Sequence, residues 1–267
     1  MFLSEQERLI SEKFLSEGYV IRPASNRRSL DWIRETVCQV IRSELNSPDD
    51  QDEDVESLLN SFHVKIPVAD LNTFRVRLIR RINEETEFRR HYLSLARGLL
   101  YDLVGNELAM QTRVNLSIQY PNDESSLLPI HADVWSGDSP FELVLWVPLV
   151  KCHGTKSMFI LPPEDTRELH KRFSEFENKT DEDIFTAFED RLRWIEIEYG
   201  EVLLFNQNLP HGNRVNVERE TRWSLNCRFK SVFTPYGDKR LGEFFEPVTL
   251  RAATLAGINY DLPGTHS

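Results

Sequence analysis

The stretch from Gln111 to Phe233 constrains the fold more than any other part of the chain. It carries short β-rich runs at Gln111–Pro121, Phe141–Val150, Ser157–Pro162, Trp194–Tyr199, Glu201–Asn206 and Arg222–Phe233, separated by Pro, Gly or Asn. Strands this closely spaced leave little room for crossover helices and favour a sandwich or barrel over βαβ units. One interruption is long: 164–193 reads as a helical insert, with Thr180 and Asp183 as a capping pair.

The N-terminal third has the period of helices instead. Phe2, Leu9, Ile10 and Phe14 predict a helix over Ser4–Glu17 closed by Gly18, and Tyr19–Arg22 follows as a short strand. Leu30, Ile33, Val37, Val40 and Ile41 predict a second helix over Leu30–Leu45. Asp70–Val104 reads as two helices broken near 83–87, with Gly105-Asn106 closing the second. The acidic stretch Asn46–Asp54, nearly free of apolar residues, reads as a mobile loop. The expectation is one domain over 1–267: helical support over 1–110, a β core over 111–233 and a C-terminal extension over 234–267.

Composition narrows the partners. With 267 residues and 40% of them apolar, the chain can bury a sizeable core. Its 32 Lys+Arg against 43 Asp+Glu, a net charge of −11, argue against nucleic acid or an anionic membrane as partner. The longest apolar run, Leu143–Val150, is far too short for a bilayer span and contains Pro148. Acids near the N-terminus are unlike a secretory signal, so a cytoplasmic protein is expected. Cys38, Cys152 and Cys227 are too few and too scattered for a disulfide framework or a Cys-based zinc site. A Gly-rich phosphate loop, a His-Glu-x-x-His helix and a Gly-x-Ser-x-Gly elbow are all missing from the sequence. Cys152 and His153 are adjacent, and consecutive strand residues face opposite ways, which disfavours a thiolate–imidazole pair.

The segment Pro129-Ile-His131-Ala-Asp133-Val-Trp135 points to metal chemistry. In an extended chain His131 and Asp133 project to one side, and an imidazole with a carboxylate suits a first-row divalent metal. Seven His in a chain this acidic yield about one His-x-Asp/Glu by chance, so the pair needs support. It comes from Tyr199–Phe205, an apolar strand after a turn, followed closely by His211-Gly212. Two His and one carboxylate with open positions form the expected site for non-heme Fe(II) and dioxygen. Arg222 and Ser224 lie on one face of the next strand, and a guanidinium fork beside a hydroxyl is equipped to hold a carboxylate. On the strand from Gln111 to Tyr120, Val114, Leu116, Ile118 and Tyr120 share one face. Arg113, Asn115, Ser117 and Gln119 share the other, a polar lining for a charged cosubstrate and a hydroxylated substrate.

The order His131-x-Asp133, Gly200-Glu-Val-Leu-Leu-Phe205, His211-Gly212, Arg222 resembles the phytanoyl-CoA dioxygenase family, the Fe(II)/2-oxoglutarate oxygenases that include ectoine hydroxylase. The resemblance runs from about Gly18 to Phe233. More narrowly, His131–Glu142, Trp146–Leu149 and Leu241–Pro247 resemble the 2-oxoglutarate/iron oxygenases of bacterial "sporadic carbohydrate" clusters. The stretch Lys151–Pro163 departs from the Asn-Gly and Pro-Gly-Ser-His motifs usual in the wider family, so that family's substrate contacts do not carry over.

The resemblance implies a mainly β fold with flanking helices, built on a double-stranded β-helix (jelly-roll, cupin-like) core. It implies Fe(II) on His131, Asp133 and His211, and 2-oxoglutarate with its distal carboxylate on Arg222 and Ser224. Asn115 would be a donor near the metal-bound end, and dioxygen the second cosubstrate. Halogenating relatives carry a small residue at the position of Asp133, so an aspartate implies hydroxylation. The substrate implied is a small polar molecule, such as a sugar or sugar nucleotide, in bacterial carbohydrate or polysaccharide biosynthesis. Trp135, Gln119 and Arg228 are candidates to touch it. An amino-acid or lipid-linked substrate, a cupin-like sugar isomerase or binding module, a non-catalytic scaffold, and homo-oligomerisation all stay open.

Overall fold

The computed structural model describes residues 2–45 and 53–263. Most of the acidic stretch expected to form a loop, 46–52, lies outside the described residues; Asp54, at its end, caps a helix instead.

Local chemistry sets the first elements. The Ser4 hydroxyl accepts from the Glu7 N–H at 3.2 Å while the Glu7 carboxylate accepts from the Ser4 N–H at 2.7 Å, which starts α1 (Glu5–Glu17). Gly18, at φ 83°, ends that helix and turns the chain into β1 (Tyr19–Pro23). The helices α2 (Arg27–Leu45), α3 (Val55–Asn60), α4 (Val68–Glu84), α5 (Phe88–Ser94) and α6 (Arg97–Leu103) follow. Where two helices were expected over 70–104 there are three. The extra break comes at Leu95-Ala96, both buried, where the Leu95 carbonyl accepts from the Ser25 N–H at 2.8 Å instead of continuing a helix.

The remainder comprises β2 (Leu108–Gln111), β3 (Asn115–Gln119), β4 (Leu143–Pro148), β5 (Phe159–Ile160), α7 (Pro163–Lys171), α8 (Asp181–Phe188), β6 (Arg193–Trp194), β7 (Glu201–Asn206), β8 (His211–Gly212), β9 (Arg222–Ser231), β10 (Phe245–Pro247) and α9 (Ala252–Ile258). Among the described residues these strands form two antiparallel sheets. The larger has seven strands in the order β1-β7-β4-β9-β2-β10, with β3 also on β9; the smaller runs β6-β5-β8. The architecture is mixed helix and antiparallel sheet, with more of the chain in helices than in strands, which corrects the expectation of a mainly β protein.

The long strand expected over 111–121 is also two. β9 pairs with β3 through Asn226 and with β2 from Phe229 onward, and the partner strand breaks at 112–114 between them. Asn83, at the end of α4, fills the gap: its amide donates to the Val114 carbonyl at 2.9 Å and accepts from the Val114 N–H at 2.8 Å. The strand expected over Trp194–Tyr199 shrinks to β6 plus two isolated bridges, Cys152 to Ile197 and Tyr199 to Glu201. The helical insert is present as α7 and α8, the latter started by the expected Thr180–Asp183 capping box.

Two apolar cores result. The larger joins the inner faces of α2 and α4 to the seven-stranded sheet, with Trp223, Phe62 and Tyr92 fully buried in it. The smaller packs Leu169, Phe176, Ile184, Phe185 and Phe188 of the insert region on Ile130 and Phe159, so the insert braces the strand segment just before His131. Among the described residues no helix is long and apolar enough to cross a membrane.

Replacing Asn83 by Ala strands the Val114 amide and carbonyl inside the sheet. Urea denaturation of that variant should show a loss of about 1–3 kcal/mol; an unchanged midpoint would mean that the break is held by something else.

Candidate metal centre

Two histidines from distant parts of the chain are tied backbone to backbone. The His131 N–H donates to the His211 carbonyl at 2.9 Å and the His211 N–H returns the bond at 2.8 Å. An antiparallel pair of this kind sends both side chains to one face, and the ring centroids lie 4.5 Å apart. Each ring is then fixed in the same way. Nδ1 of His131 lies 2.7 Å from the Pro129 carbonyl, and Nδ1 of His211 lies 2.9 Å from the Leu209 carbonyl. A carbonyl can only accept, so Nδ1 carries the proton and the neutral ring keeps its Nε2 lone pair free.

Asp133 completes the group. The chain is extended only through Ala132, and Asp133 opens a one-turn 3-10 helix over Asp133–Ser136, its N–H donating to the Gln207 carbonyl at 3.2 Å. That turn, rather than the extended chain assumed for the pair, still leaves Asp133 Oδ1 3.6 Å from His131 Nε2. One ligand atom from each of His131, Asp133 and His211 lies within 4.8 Å of the others. A small closure brings such a set to metal bonds of roughly 2.0–2.2 Å. Two neutral imidazoles and a carboxylate suit a first-row divalent ion.

The electrostatics agree with that use. Burial alone would raise the Asp133 carboxyl, but the His131 ring and the Arg228 guanidinium outweigh it and hold the group well below the usual carboxylate range. Burial and the neighbouring His131 push His211 down to about 4, so its ring is neutral near pH 7. For His131 burial acts downward too, yet Asp133 and the Pro129 carbonyl leave it above its ordinary value.

These three residues open onto a cavity of about 250 Å³ between the two sheets. Asn115 and Ser117 of β3, Val144 and Trp146 of β4, Phe205 of β7, and Arg222, Asn226 and Arg228 of β9 line it. Arg222 is 3% exposed. It donates through Nη1 to the Ser157 carbonyl at 2.8 Å and through Nη2 to the Ser117 hydroxyl at 3.0 Å. No carboxylate of the described residues pairs with it, and its Nε is left without a partner, as are the buried hydroxyls of Ser224 and Ser157. Burial pushes the guanidinium down to about 10, which leaves it charged at neutral pH. An unpaired buried cation beside unpaired hydroxyls has the chemistry to receive an anion.

The structure thus gathers His131, Asp133, His211, Asn115 and Arg222 around one cavity; Ser224 is fully buried two residues from Arg222 on β9 and does not line it. Two candidates for substrate contact fall elsewhere. Gln119 donates to the Arg214 carbonyl at 2.6 Å, and Trp135 packs on Phe173 with centroids 5.3 Å apart; neither lines the cavity. Arg228 does line it but is engaged with Asp133, its Nη2 2.7 Å from Oδ2. Ser117 lines the cavity, as the polar face read for the 111–120 strand implies, whereas Asn226 and Gln207 were not singled out in the sequence. Asn226 could have been found by extending the alternation of β9 beyond Ser224, whereas Gln207 follows a strand end and gives no periodic signal.

No protein-family model matches the sequence, and no curated protein is similar to it. Solved structures are similar in fold. AviO1 from Streptomyces viridochromogenes Tue57 matches with a TM-score of 0.53 at 13% identity over 88% of this chain and 99% of its own. SnoK, a non-heme alpha ketoglutarate dependent carbocyclase from nogalamycin biosynthesis, matches with 0.52 at 16% identity over 93% and 97%. The nickel complex of the non-heme monooxygenase ThoJ matches with 0.50 at 15% identity over 92% and 85%.

A buried arginine without a counter-ion contributes little to folding. Arg222→Met should therefore leave urea stability of the ligand-free protein within about 1 kcal/mol of the parent or above it. A loss of about 3–5 kcal/mol would instead identify the guanidinium as a structural ion.

Proposed function

We propose that the chain is a non-heme iron, 2-oxoglutarate-dependent oxygenase that hydroxylates a small polar molecule. The observation that carries this reading is the pair of imidazoles whose Nδ1 atoms are committed to their own backbone carbonyls, leaving both Nε2 lone pairs beside Asp133. The orphaned Nε of Arg222, which lines the same cavity as the metal ligands, and the unpaired hydroxyl of Ser224 two residues along β9 supply the second half, an anion receptor. The fold shared with proteins described as non-heme and alpha ketoglutarate dependent supports it, and a double-stranded β-helix is the core we assign.

In this reading His131, Asp133 and His211 hold Fe(II), and Arg222 with Ser224 binds the distal carboxylate of 2-oxoglutarate. Iron held there would, with 2-oxoglutarate and dioxygen, supply the oxidising chemistry, one oxygen atom ending in succinate as the keto acid loses CO2 and the other in a substrate C–H bond. The protein's own work is orientation and exclusion of water. Asn115, held by its amide to Asn226 Oδ1 at 3.2 Å, keeps a polar edge toward the metal-bound end of the keto acid. Val144, Trp146, Met158 and Phe205 form the apolar wall that keeps bulk water out. Asp133 fills the coordination position that a halide would need, which favours hydroxylation over halogenation.

The cavity, about 250 Å³, is at the small end for ligand pockets. A keto acid fills much of it, so only the reacting carbon of the substrate enters, past the exposed rim residue Leu128. A sugar or sugar-nucleotide substrate, in a cytoplasmic carbohydrate pathway, suits this geometry because it can offer one ring carbon at the mouth. A cupin-like isomerase without redox chemistry leaves the buried Arg222 without a purpose.

Anaerobic addition of Fe(II) and then 2-oxoglutarate should raise a charge-transfer band in the visible region. His131→Ala and Asp133→Ala should each abolish both the band and succinate production while the far-UV dichroism stays as in the parent. Succinate formation at the parental rate by either variant would refute the ligand set. Arg222→Ala should raise the KM for 2-oxoglutarate roughly 10- to 1,000-fold for the loss of a charge-assisted pair; an unchanged KM would move the carboxylate receptor elsewhere.

A further inference from the structure

We infer that Arg228 is a positioning residue that restricts Asp133 to one metal-facing oxygen and so keeps a coordination position open for dioxygen. This deepens the metal-site reading above and rests on it.

The count of positions sets the need. An octahedral ion offers six sites, of which two imidazoles and one carboxylate oxygen take three. A keto acid chelating through carboxylate and carbonyl takes two, and one remains. A carboxylate with both oxygens free can bind through either one or two of them. Two-oxygen binding by Asp133 would close the last position.

The structure removes that freedom. Oδ2 of Asp133 accepts from Arg228 Nη2 at 2.7 Å, while Oδ1 faces His131 Nε2. Arg228 is itself fixed by Nε, which donates to Gln207 Oε1 at 2.9 Å. Gln207 is fully buried, its amide donating to Glu142 Oε2 at 3.1 Å and to the Ser139 carbonyl at 3.2 Å. The Gln207 backbone carbonyl accepts from the Asp133 N–H at 3.2 Å. Asp133 is therefore gripped at both ends by one closed circuit, its backbone by Gln207 and its side chain by Arg228.

A second carboxylate could draw the guanidinium away, and the fold disposes of it. Asp138 Oδ2 lies 3.6 Å from Arg228 Nη2, but Lys239 Nζ sits closer to that oxygen, at 2.6 Å. Lys239 arrives on the C-terminal segment, anchored where the Asp238 N–H donates to the Gly137 carbonyl at 3.2 Å. Gly237 allows that approach, because a Cβ there would fall 2.3 Å from the same carbonyl oxygen. With Asp138 neutralised by Lys239, Arg228 is left to Asp133.

The test uses the full chain loaded anaerobically with Fe(II) and 2-oxoglutarate, with nitric oxide as the dioxygen surrogate. The readout is the electron paramagnetic resonance signal of the nitrosyl per bound iron. Arg228→Met should lower that signal severalfold at equal iron content, since loss of a partner of a metal ligand disturbs the ligand it orients. Arg228→Lys should restore part of it, since an ammonium reaches Asp133 but cannot hold Gln207 at the same time. A purely structural role would reduce folding or iron loading and leave the signal per iron unchanged. Equal signals per iron in the parent and Arg228→Met would overturn the inference while the metal-site reading survives. A parent chain that takes up neither Fe(II) nor 2-oxoglutarate would overturn that reading and the inference with it. If Arg228→Met does not fold, Gln207→Met serves instead, with a smaller loss expected and an undiminished signal per iron overturning the inference.

Discussion

Strand β9 is the constraint on which the rest of the structure depends. Its period of two sends Trp223, Leu225, Cys227 and Phe229 into the large core, all fully buried, and Arg222, Ser224, Asn226, Arg228 and Lys230 to the opposite side. Hydrogen bonds to β4 along one edge and to β3 and β2 along the other fix its register. A slip by one residue would drive two arginines and a lysine into the apolar core and expose the tryptophan, so the register is strongly specified. The cavity is a by-product of that choice, because a polar face buried on a sheet must meet either protein partners or a ligand.

That same alternation explains how much was legible. Arg222 and Ser224 could be read as a pair because two positions along a strand always share a side, and the polar face of β3 was readable for the same reason. His131 and His211 could be nominated from their residue types and surroundings, but their reciprocal backbone bonds belong to tertiary structure. The helix–strand pattern of the first 45 residues was clear because caps such as Ser4 and Gly18 act locally. The break of the expected 111–121 strand was not, since its cause, the Asn83 amide, arrives from 31 residues upstream. Arg228 was noticed as a basic residue near the site but given to the substrate, because nothing in the sequence reveals that Asp133 lies across from it.

Order around the histidines is imposed by packing as well as by hydrogen bonds. The insert between β5 and β6 presses Phe185, Phe188 and Leu169 onto Ile130 and Phe159. Ile130 precedes His131, and Ile160 of β5 pairs with His211 in register. One small core thus braces both imidazole-bearing segments from behind, while the large core supports β9 from the other side. The histidine segments and the arginine-bearing β9 are thus backed by different cores, and displacement of β9 would move Arg222 and Arg228 relative to the imidazoles.

Two deeply buried cations of this protein are served in different ways. Lys156, fully buried, is matched by Asn60 at 2.8 Å and Glu220 at 2.6 Å, as a structural cation should be. Arg222, just as deeply buried, has neither a carboxylate nor a partner for its Nε, and the neighbouring Ser224 and Ser157 hydroxyls are also unpaired. A chain selected for stability alone would have supplied an acid or replaced the arginine. Three orphaned donors of this kind are what a small anion from solution would satisfy, in keeping with the proposed reading of the two oriented imidazoles as metal ligands.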